Sequence, residues 1–230
     1  MGELPKIAVS EIYGPTIQGE GRTAGLPCHF LRLAGCNLAC SWCDTPYTWN
    51  WKLFDPAKEI KIMTLDEVRA SVEQLGHTGI KRLVISGGEP MLQSKVLSCL
   101  IRALSGWNCE IETAGTRVVP HDFPECQFNV SPKLAHSGNP KEKRYRPEAI
   151  QSFHYRNATW KFVVASQEDF DEIDDMVSRY ELFPVYIMPL TTPDKDFGVL
   201  AKELLPSILC RNYRLSPRLH VDLWYNARAV

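Results

Sequence analysis

No stretch of this chain approaches the roughly 20 consecutive apolar residues that a membrane helix needs. Residues 1–10 lack the apolar run after a basic segment that marks an export signal, so the sequence predicts a protein neither exported nor membrane-spanning, at work in the cytoplasm. Position 6 is Lys6, where a myristoylation signal calls for Ser or Thr, which leaves Gly2 as an ordinary surface residue. An excess of either charge is also missing: 26 Lys and Arg stand against 27 Asp and Glu, a net of -1, and nucleic acid is not an expected partner. There is no repeat, heptad or low-complexity tract. Without an export signal, the eight cysteines predict free thiols in a reducing compartment rather than a disulfide framework.

What the chain does have is enough apolar sequence for one full core. Its 230 residues, 44% of them hydrophobic, predict a single α/β domain spanning 1–230. Short apolar or β-branched runs bounded by turn residues predict strands at 28–33, 81–86, 108–113, 126–131, 159–164 and 185–190. Thr64 and Glu67 form a capping box ahead of a helix with Leu65, Val68, Val72 and Leu75 on one face and Gly76 as its stop. Further helices are expected at 91–104, at 166–180 behind a Ser-x-x-Asp box, and at 198–209. This alternation predicts an incomplete, TIM-like barrel of about six parallel strands. Residues 114–125, with Pro120 and Pro124, leave room only for an abbreviated or missing crossover helix. Residues 136–157, carrying Lys141, Lys143, Arg144 and Arg146 around two prolines, read as a long, basic, solvated loop.

Five cysteines are scattered: Cys28, Cys99, Cys109 and Cys126 in apolar or strand-like stretches and Cys210 near a helix end, as inert thiols. Only Cys36, Cys40 and Cys43 cluster, spaced C-x3-C-x2-C on a loop after the first predicted strand. Three is the informative number. Structural zinc wants four protein ligands, whereas a cubane held by three thiolates leaves one iron open to a small molecule. Cys28 or His29 could complete a zinc site, but both fall inside a strand whose side chains alternate faces, so a zinc-stabilised binding module is the weaker alternative. A second element, Ile85-Ser-Gly-Gly-Glu-Pro90, ends a predicted strand, where α/β sites collect their ligands; its glycines let backbone approach a bound molecule and Glu89 can accept from an ammonium. A third, Asn129-Val-Ser-Pro-Lys133, offers a hydroxyl and a cation at another strand end.

With Trp42 just before the third cysteine, the motif resembles the radical S-adenosylmethionine superfamily. The resemblance implies a 4Fe-4S cluster on Cys36, Cys40 and Cys43, with the open iron taking the amino and carboxylate groups of S-adenosylmethionine. It implies cofactor contacts from Trp42, Cys43, Asp44, Gly87, Gly88 and Glu89, and from Ser131, Pro132 and Lys133. Gly87, Gly88 and Glu89 would meet the methionyl amine.

The most distinctive segment is Glu11-Ile-Tyr-Gly-Pro-Thr-Ile-Gln-Gly-Glu-Gly21, whose glycines and proline predict a tight polar loop suited to hydrogen-bonding a planar heterocycle. With Arg32, the Cys-Asp-Thr triplet ending at Thr45, Thr48-Trp49 and the tail from His220 to Val230, the chain resembles the 7-carboxy-7-deazaguanine synthase family. That resemblance implies ring contraction of 6-carboxy-5,6,7,8-tetrahydropterin with loss of ammonia. Substrate contacts would come from Ile17, Gln18, Gly19, Arg32, Ser86 and Val230, with Arg32 on the carboxylate, and Mg2+ would sit on Thr45. A homodimer and a flavodoxin or ferredoxin as electron donor are further family expectations. Met188 departs from the pattern, standing where a polar nucleoside-binding residue is expected, a contact that Gln151 or another residue would then supply. Another radical enzyme, such as a glycyl-radical activase or a peptide-modifying synthase, would share the cluster but bind a polypeptide.

Overall fold

A computed structural model of the protein describes residues 5–191, 197–225 and 227–230; Gly2 therefore lies outside the described residues. In chain order the elements are β1 (Lys6–Ile17), β2 (Pro27–Leu33), α1 (Pro56–Glu59), β3 (Lys61–Thr64), α2 (Leu65–Leu75), β4 (Arg82–Gly87), α3 (Ser94–Ala103), β5 (Asn108–Thr113) and β6 (Gln127–Val130). There follow α4 (Lys141–Arg144), α5 (Pro147–His154), β7 (Ala158–Val164), α6 (Asp169–Tyr180), β8 (Val185–Pro189), α7 (Phe197–Cys210), β9 (Arg214–Leu215) and α8 (Leu219–Trp224).

All strands lie in one sheet of order β3-β1-β2-β4-β5-β6-β7-β8-β9. From β2 to β9 every pair is parallel, and β1 and β3 add antiparallel at one edge. The sheet is an open, incomplete barrel, and its six principal parallel strands are the six read from the sequence. The reason is burial on both faces: β7 is buried at every position and β8 likewise, which writes mainly apolar runs into the chain, interrupted in β7 by Thr159 and Lys161.

The helices cover the outer face. Thr64 caps α2 as expected, its Oγ1 accepting from Glu67 N at 3.3 Å while Glu67 Oε2 accepts from Thr64 N at 2.7 Å. α6 starts three residues later than its apparent box, because Asp169 Oδ2 accepts from the amides of Ala165 and Ser166 and so holds the turn itself. The β5–β6 connection has no helix, as its prolines suggested. Val119 and Phe123 fill the space instead, Phe123 against Phe128 at 5.9 Å, and the Arg156 guanidinium donates to the carbonyls of Pro120, His121 and Phe123.

Two expectations fail. Residues 11–17 form the second half of β1 rather than a loop; β1 carries register shifts at Val9/Glu11 and Tyr13/Thr16, and such irregularity lets an outer strand accommodate Gly14 and Pro15. Residues 136–157 are not a solvated loop either. They contain α4 and α5, the latter with Pro147 in its first turn and with Ala149, Ile150 and Phe153 buried. Arg144, read as a surface cation, is buried and donates to Lys133 O and to Glu172. The basic residues around the prolines masked a short amphipathic helix.

Candidate active site

The loops at the C-terminal ends of the parallel strands enclose a cavity of about 270 Å3. One wall is the loop after β2, which carries the three cysteines. Gly35 N to Thr48 O (2.7 Å) closes the loop on itself, and Gly88 N to Leu33 O (3.0 Å) and Glu89 N to Gly35 O (2.8 Å) stitch it to the end of β4. These bonds explain the paired glycines. A Cβ on Gly88 would stand 2.0 Å from Gly35 O, and one on Gly87, whose φ is +132°, 2.1 Å from Leu33 O. The glycines therefore let β4 press against the cysteine loop, and both also line the cavity, as expected of residues that meet the cofactor. Gly88→Ala is expected to cost about 1–3 kcal/mol and to lower iron uptake with it. Thermal denaturation and iron analysis check this; an unchanged midpoint and full iron content would contradict the packing argument.

Each sulfur accepts one N–H. Leu38 N donates to Cys36 Sγ (3.4 Å), Asn139 Nδ2 to Cys40 Sγ (3.3 Å) and Trp49 Nε1 to Cys43 Sγ (3.3 Å). None of the three is in a disulfide. Burial pushes the Cys36 thiol up to about 12, and burial also raises Cys40 in spite of nearby Lys133, so iron must displace protons to bind here.

The donor set fits a cubane better than zinc. Among the described residues no three His, Cys, Asp or Glu side chains gather closely enough to hold one metal ion, whereas zinc needs its sulfurs about 2.3 Å from a single point. Neither suggested fourth ligand reaches the cavity. Cys28 is buried within β2, and His29 packs on Trp107 (5.9 Å) with Nε2 against Thr78 Oγ1 (3.2 Å).

Of the other expected site residues, Ile17, Gln18, Arg32, Trp42, Asp44, Thr45, Ser86, Ser131, Lys133 and Val230 line the same cavity. Lys133 lies over the Trp42 ring at 5.6 Å and donates to Ser131 Oγ at 3.1 Å. Thr45 Oγ1 is 3.7 Å from Cys43 Sγ. Arg32 is neither free nor a surface ion pair: it is half-buried, its Nε donating to Glu11 Oε2 at 2.9 Å and Nη2 to Tyr13 OH at 3.1 Å.

Five residues are placed otherwise than expected. Glu89 is fully buried beneath the wall, its carboxylate accepting from Met91 N (2.9 Å), Thr113 Oγ1 (2.7 Å) and Ala114 N (2.8 Å); it braces the loop rather than facing an ammonium in the cavity. Gly19 is also off the wall. It lets α8 approach, since Gly19 O accepts from Leu219 N at 3.0 Å and a Cβ would stand 2.0 Å from His220 Nδ1. Pro132 is buried behind Ser131 and Lys133. Gln151 lies exposed on the outer face of α5, so it cannot replace a contact at Met188, which does line the cavity. The Gln18 amide, expected to read a heterocycle edge, donates instead to Glu110 Oε1 (2.8 Å) and Glu112 Oε1 (2.9 Å).

Comparison with known proteins decides the family. Residues 31–127 match the Radical SAM superfamily. The 7-carboxy-7-deazaguanine synthase of Pyrobaculum aerophilum is 30% identical, with 99% of each chain covered. That of Bacillus subtilis (strain 168) is 31% identical, covering 97% of this chain and 98% of its own. The chain belongs to the 7-carboxy-7-deazaguanine synthase family. The crystal structure of QueE from Escherichia coli superposes with a TM-score of 0.70 at 26% identity, over 92% of this chain and 93% of that one. Streptococcus suis SuiB bound to S-adenosylmethionine, at 15% identity and a TM-score of 0.52 over 78% of this chain and 44% of its own, shares the fold. As a radical SAM enzyme of this synthase family, the protein uses a 4Fe-4S cluster and S-adenosylmethionine.

This synthase family member also carries a buried charge network that sequence reasoning missed. Lys161, on β7, reaches between Glu20 Oε2 (2.5 Å) and Glu112 Oε2 (2.8 Å) on the cavity floor. Arg218 Nε meets Glu20 Oε1 at 3.3 Å and its Nη2 meets Asp44, while His220 Nε2 lies 3.7 Å from Glu20. Burial acts to raise Glu20, but Lys161, Arg218 and His220 outweigh it and hold the carboxyl well below its usual range. Burial wins at Glu112, whose carboxyl is raised against the pull of Lys161. A signal was present: charges at 110, 112 and 161 interrupt otherwise apolar strands, which seldom happens unless the side chains face a functional interior.

Proposed function

We propose that this chain, acting in the cytoplasm as a single domain, contracts 6-carboxy-5,6,7,8-tetrahydropterin to 7-carboxy-7-deazaguanine in deazapurine biosynthesis. Substrate and product differ by one ammonia and nothing else, so the conversion needs no net oxidant and S-adenosylmethionine is regenerated. The observation that carries the reading is the convergence of the three thiols, Arg32 and the Lys161 pair on one cavity at the strand ends. When bound, the cluster and S-adenosylmethionine supply hydrogen-atom abstraction from C6 of the pterin.

The chain's own residues bind and orient. Arg32, braced by Glu11 and Tyr13, presents its planar fork to the substrate carboxylate. Ser86, Ile17 and Val230 border the ring, and the fixed charges of Glu112 and Lys161 lie beneath it, already paired and so costing little reorganisation. Trp42, Asp44, Ser131 and Lys133 face the cofactor side, with Lys133 available to a carboxylate. The Thr45 hydroxyl, a hard oxygen beside Cys43, suits Mg2+ held jointly with substrate oxygens. A flavodoxin or ferredoxin is the reductant and a homodimer the working state, which light scattering checks.

The deciding assay is anaerobic incubation of the reconstituted protein with reductant, S-adenosylmethionine and the carboxypterin. A product with deazapurine absorbance, with Mg2+ increasing its rate, is expected. Formation of 5′-deoxyadenosine without that product would exclude the ring contraction and point to a peptide-modifying or glycyl-radical-activating enzyme.

A further inference from the structure

The segment after Lys133 does not leave the site. Its 3-10 turn, Ala135–Ser137, and Asn139 just after it grip the cysteine loop at four points. Ser137 O accepts from Ser41 N at 3.0 Å, and Asn139 Oδ1 accepts from Ala39 N at 2.8 Å. Asn139 Nδ2 donates to Cys40 Sγ at 3.3 Å, with Ser137 Oγ at 3.2 Å as its other partner. The His136 ring stacks on Trp42 at 5.5 Å, and its Nδ1 accepts from Trp42 Nε1 at 3.0 Å. With Nδ1 an acceptor, Nε2 carries the proton and donates to Val163 O at 3.1 Å, Asp169 lying 3.6 Å away.

The chemistry of one of these contacts differs from the rest. Leu38 N is supplied by the cysteine loop itself, and Trp49 belongs to the same loop, but Asn139 comes from 99 residues further along the chain. It is buried, so its amide dipole acts in a medium of low dielectric. A donor to a coordinating sulfur stabilises the more negative state of a cluster, which is the reduced one, and so raises the reduction potential. Because the two ends of the carboxamide do different things, the oxygen shaping the turn and the nitrogen meeting the sulfur, the two roles separate by substitution.

We propose that Asn139 is a positioning residue of the cluster, holding the Ala39–Cys40 turn through its oxygen and raising the cluster's reduction potential through its N–H to Cys40. The proposal rests on Cys36, Cys40 and Cys43 being the cluster ligands. It makes the 136–139 segment part of the redox machinery.

The test is a potentiometric titration of the reconstituted full chain, followed by the EPR signal of the reduced cluster, alongside iron content. Asn139→Asp keeps an oxygen for Ala39 N, loses the donor and adds a negative charge; Asn139→Ala loses both contacts and adds no charge, so its ratio isolates the N–H. At a pH several units above the ordinary Asp range, both variants are expected to show a roughly tenfold lower ratio of reduced to oxidised cluster at a fixed potential, 59 mV for a one-electron couple. Asn139→Asp should do so with wild-type iron content, whereas Asn139→Ala should also lose iron. A wild-type ratio in Asn139→Asp would mean that the residue only shapes the turn and would overturn the proposal, as would an unchanged ratio in Asn139→Ala. A wild type that takes up no iron overturns the cluster reading itself, whereas an iron-loaded wild type with unaffected variants overturns this proposal alone.

Discussion

Replacing any one of Cys36, Cys40 or Cys43 by alanine is expected to leave a folded, colourless protein without turnover. Each thiol lies only partly buried on the cavity wall, and each loses one N–H···S contact, so the cost in stability stays within about 1 kcal/mol. The cost to chemistry is far larger. With two thiolates the cubane loses an anchor, and a reaction that depends on the cofactor falls by at least about 10,000-fold, within the span that enzymes supply. Iron analysis, absorbance and product formation under anaerobic conditions read the result. Cys109→Ala is the control: that thiol is buried in the core below the site and raised to about 11 by burial, so its loss should leave iron content unchanged. Full iron binding and turnover in a Cys40→Ala protein would remove the basis of the proposed mechanism.

Lys161→Met is expected to cause the largest loss of stability of any single change near the site. The ammonium is 3% exposed and lies between two carboxylates that have little other access to water. Removing it leaves Glu20 and Glu112 buried side by side, at a cost of about 3–5 kcal/mol. For a chain of this size that lowers the thermal midpoint by roughly 6–20 °C. The pH dependence has a definite sign. Glu20 is depressed in the folded state, so its contribution is complete above the unfolded carboxyl range, near pH 4.3, and is lost as pH falls toward the lower folded value. Glu112 is shifted the other way and loses nothing by protonating. The wild type should therefore destabilise steeply below about pH 4.5 in melting experiments, and Glu20→Gln should show a shallower acid limb. A Lys161→Met protein as stable as the wild type, with the same acid limb, would show that the network contributes no net stability.

Much of the molecule is written locally. The capping box of Thr64 and Glu67 needs only four residues to specify a helix start, and it is present as expected. The six parallel strands are largely buried, so each appears as a short, mainly apolar or β-branched run, broken only by charges such as Glu110, Glu112 and Lys161. The cysteine triplet is legible because its meaning lies in spacing along a single loop. What was misread depends on partners far away in the chain. β1 holds Gly14 and Pro15 because β2 pairs with it on either side of them, at Tyr13 and at Thr16, and nothing local distinguishes that strand from a polar loop. The basic stretch at 141–146 conceals Arg144, whose burial is decided by Glu172 and by the carbonyl of Lys133.

The sequence by itself determined the chemistry available: three thiols on one loop, six buried strands, and the cations and carboxylates that a polar cofactor needs. It determined these because thiol spacing, periodicity and capping act over a few residues. Only the tertiary structure decided what each group faces. It turned Glu89 inward to brace the loop, spent the donors of the Gln18 amide on Glu110 and Glu112, set Lys161 between carboxylates 141 and 49 residues away, and brought Asn139 onto Cys40. Those outcomes follow from packing one strand end against the next, where a buried polar group takes whichever partner the fold brings within reach, and that distance is not encoded in any short stretch of the chain.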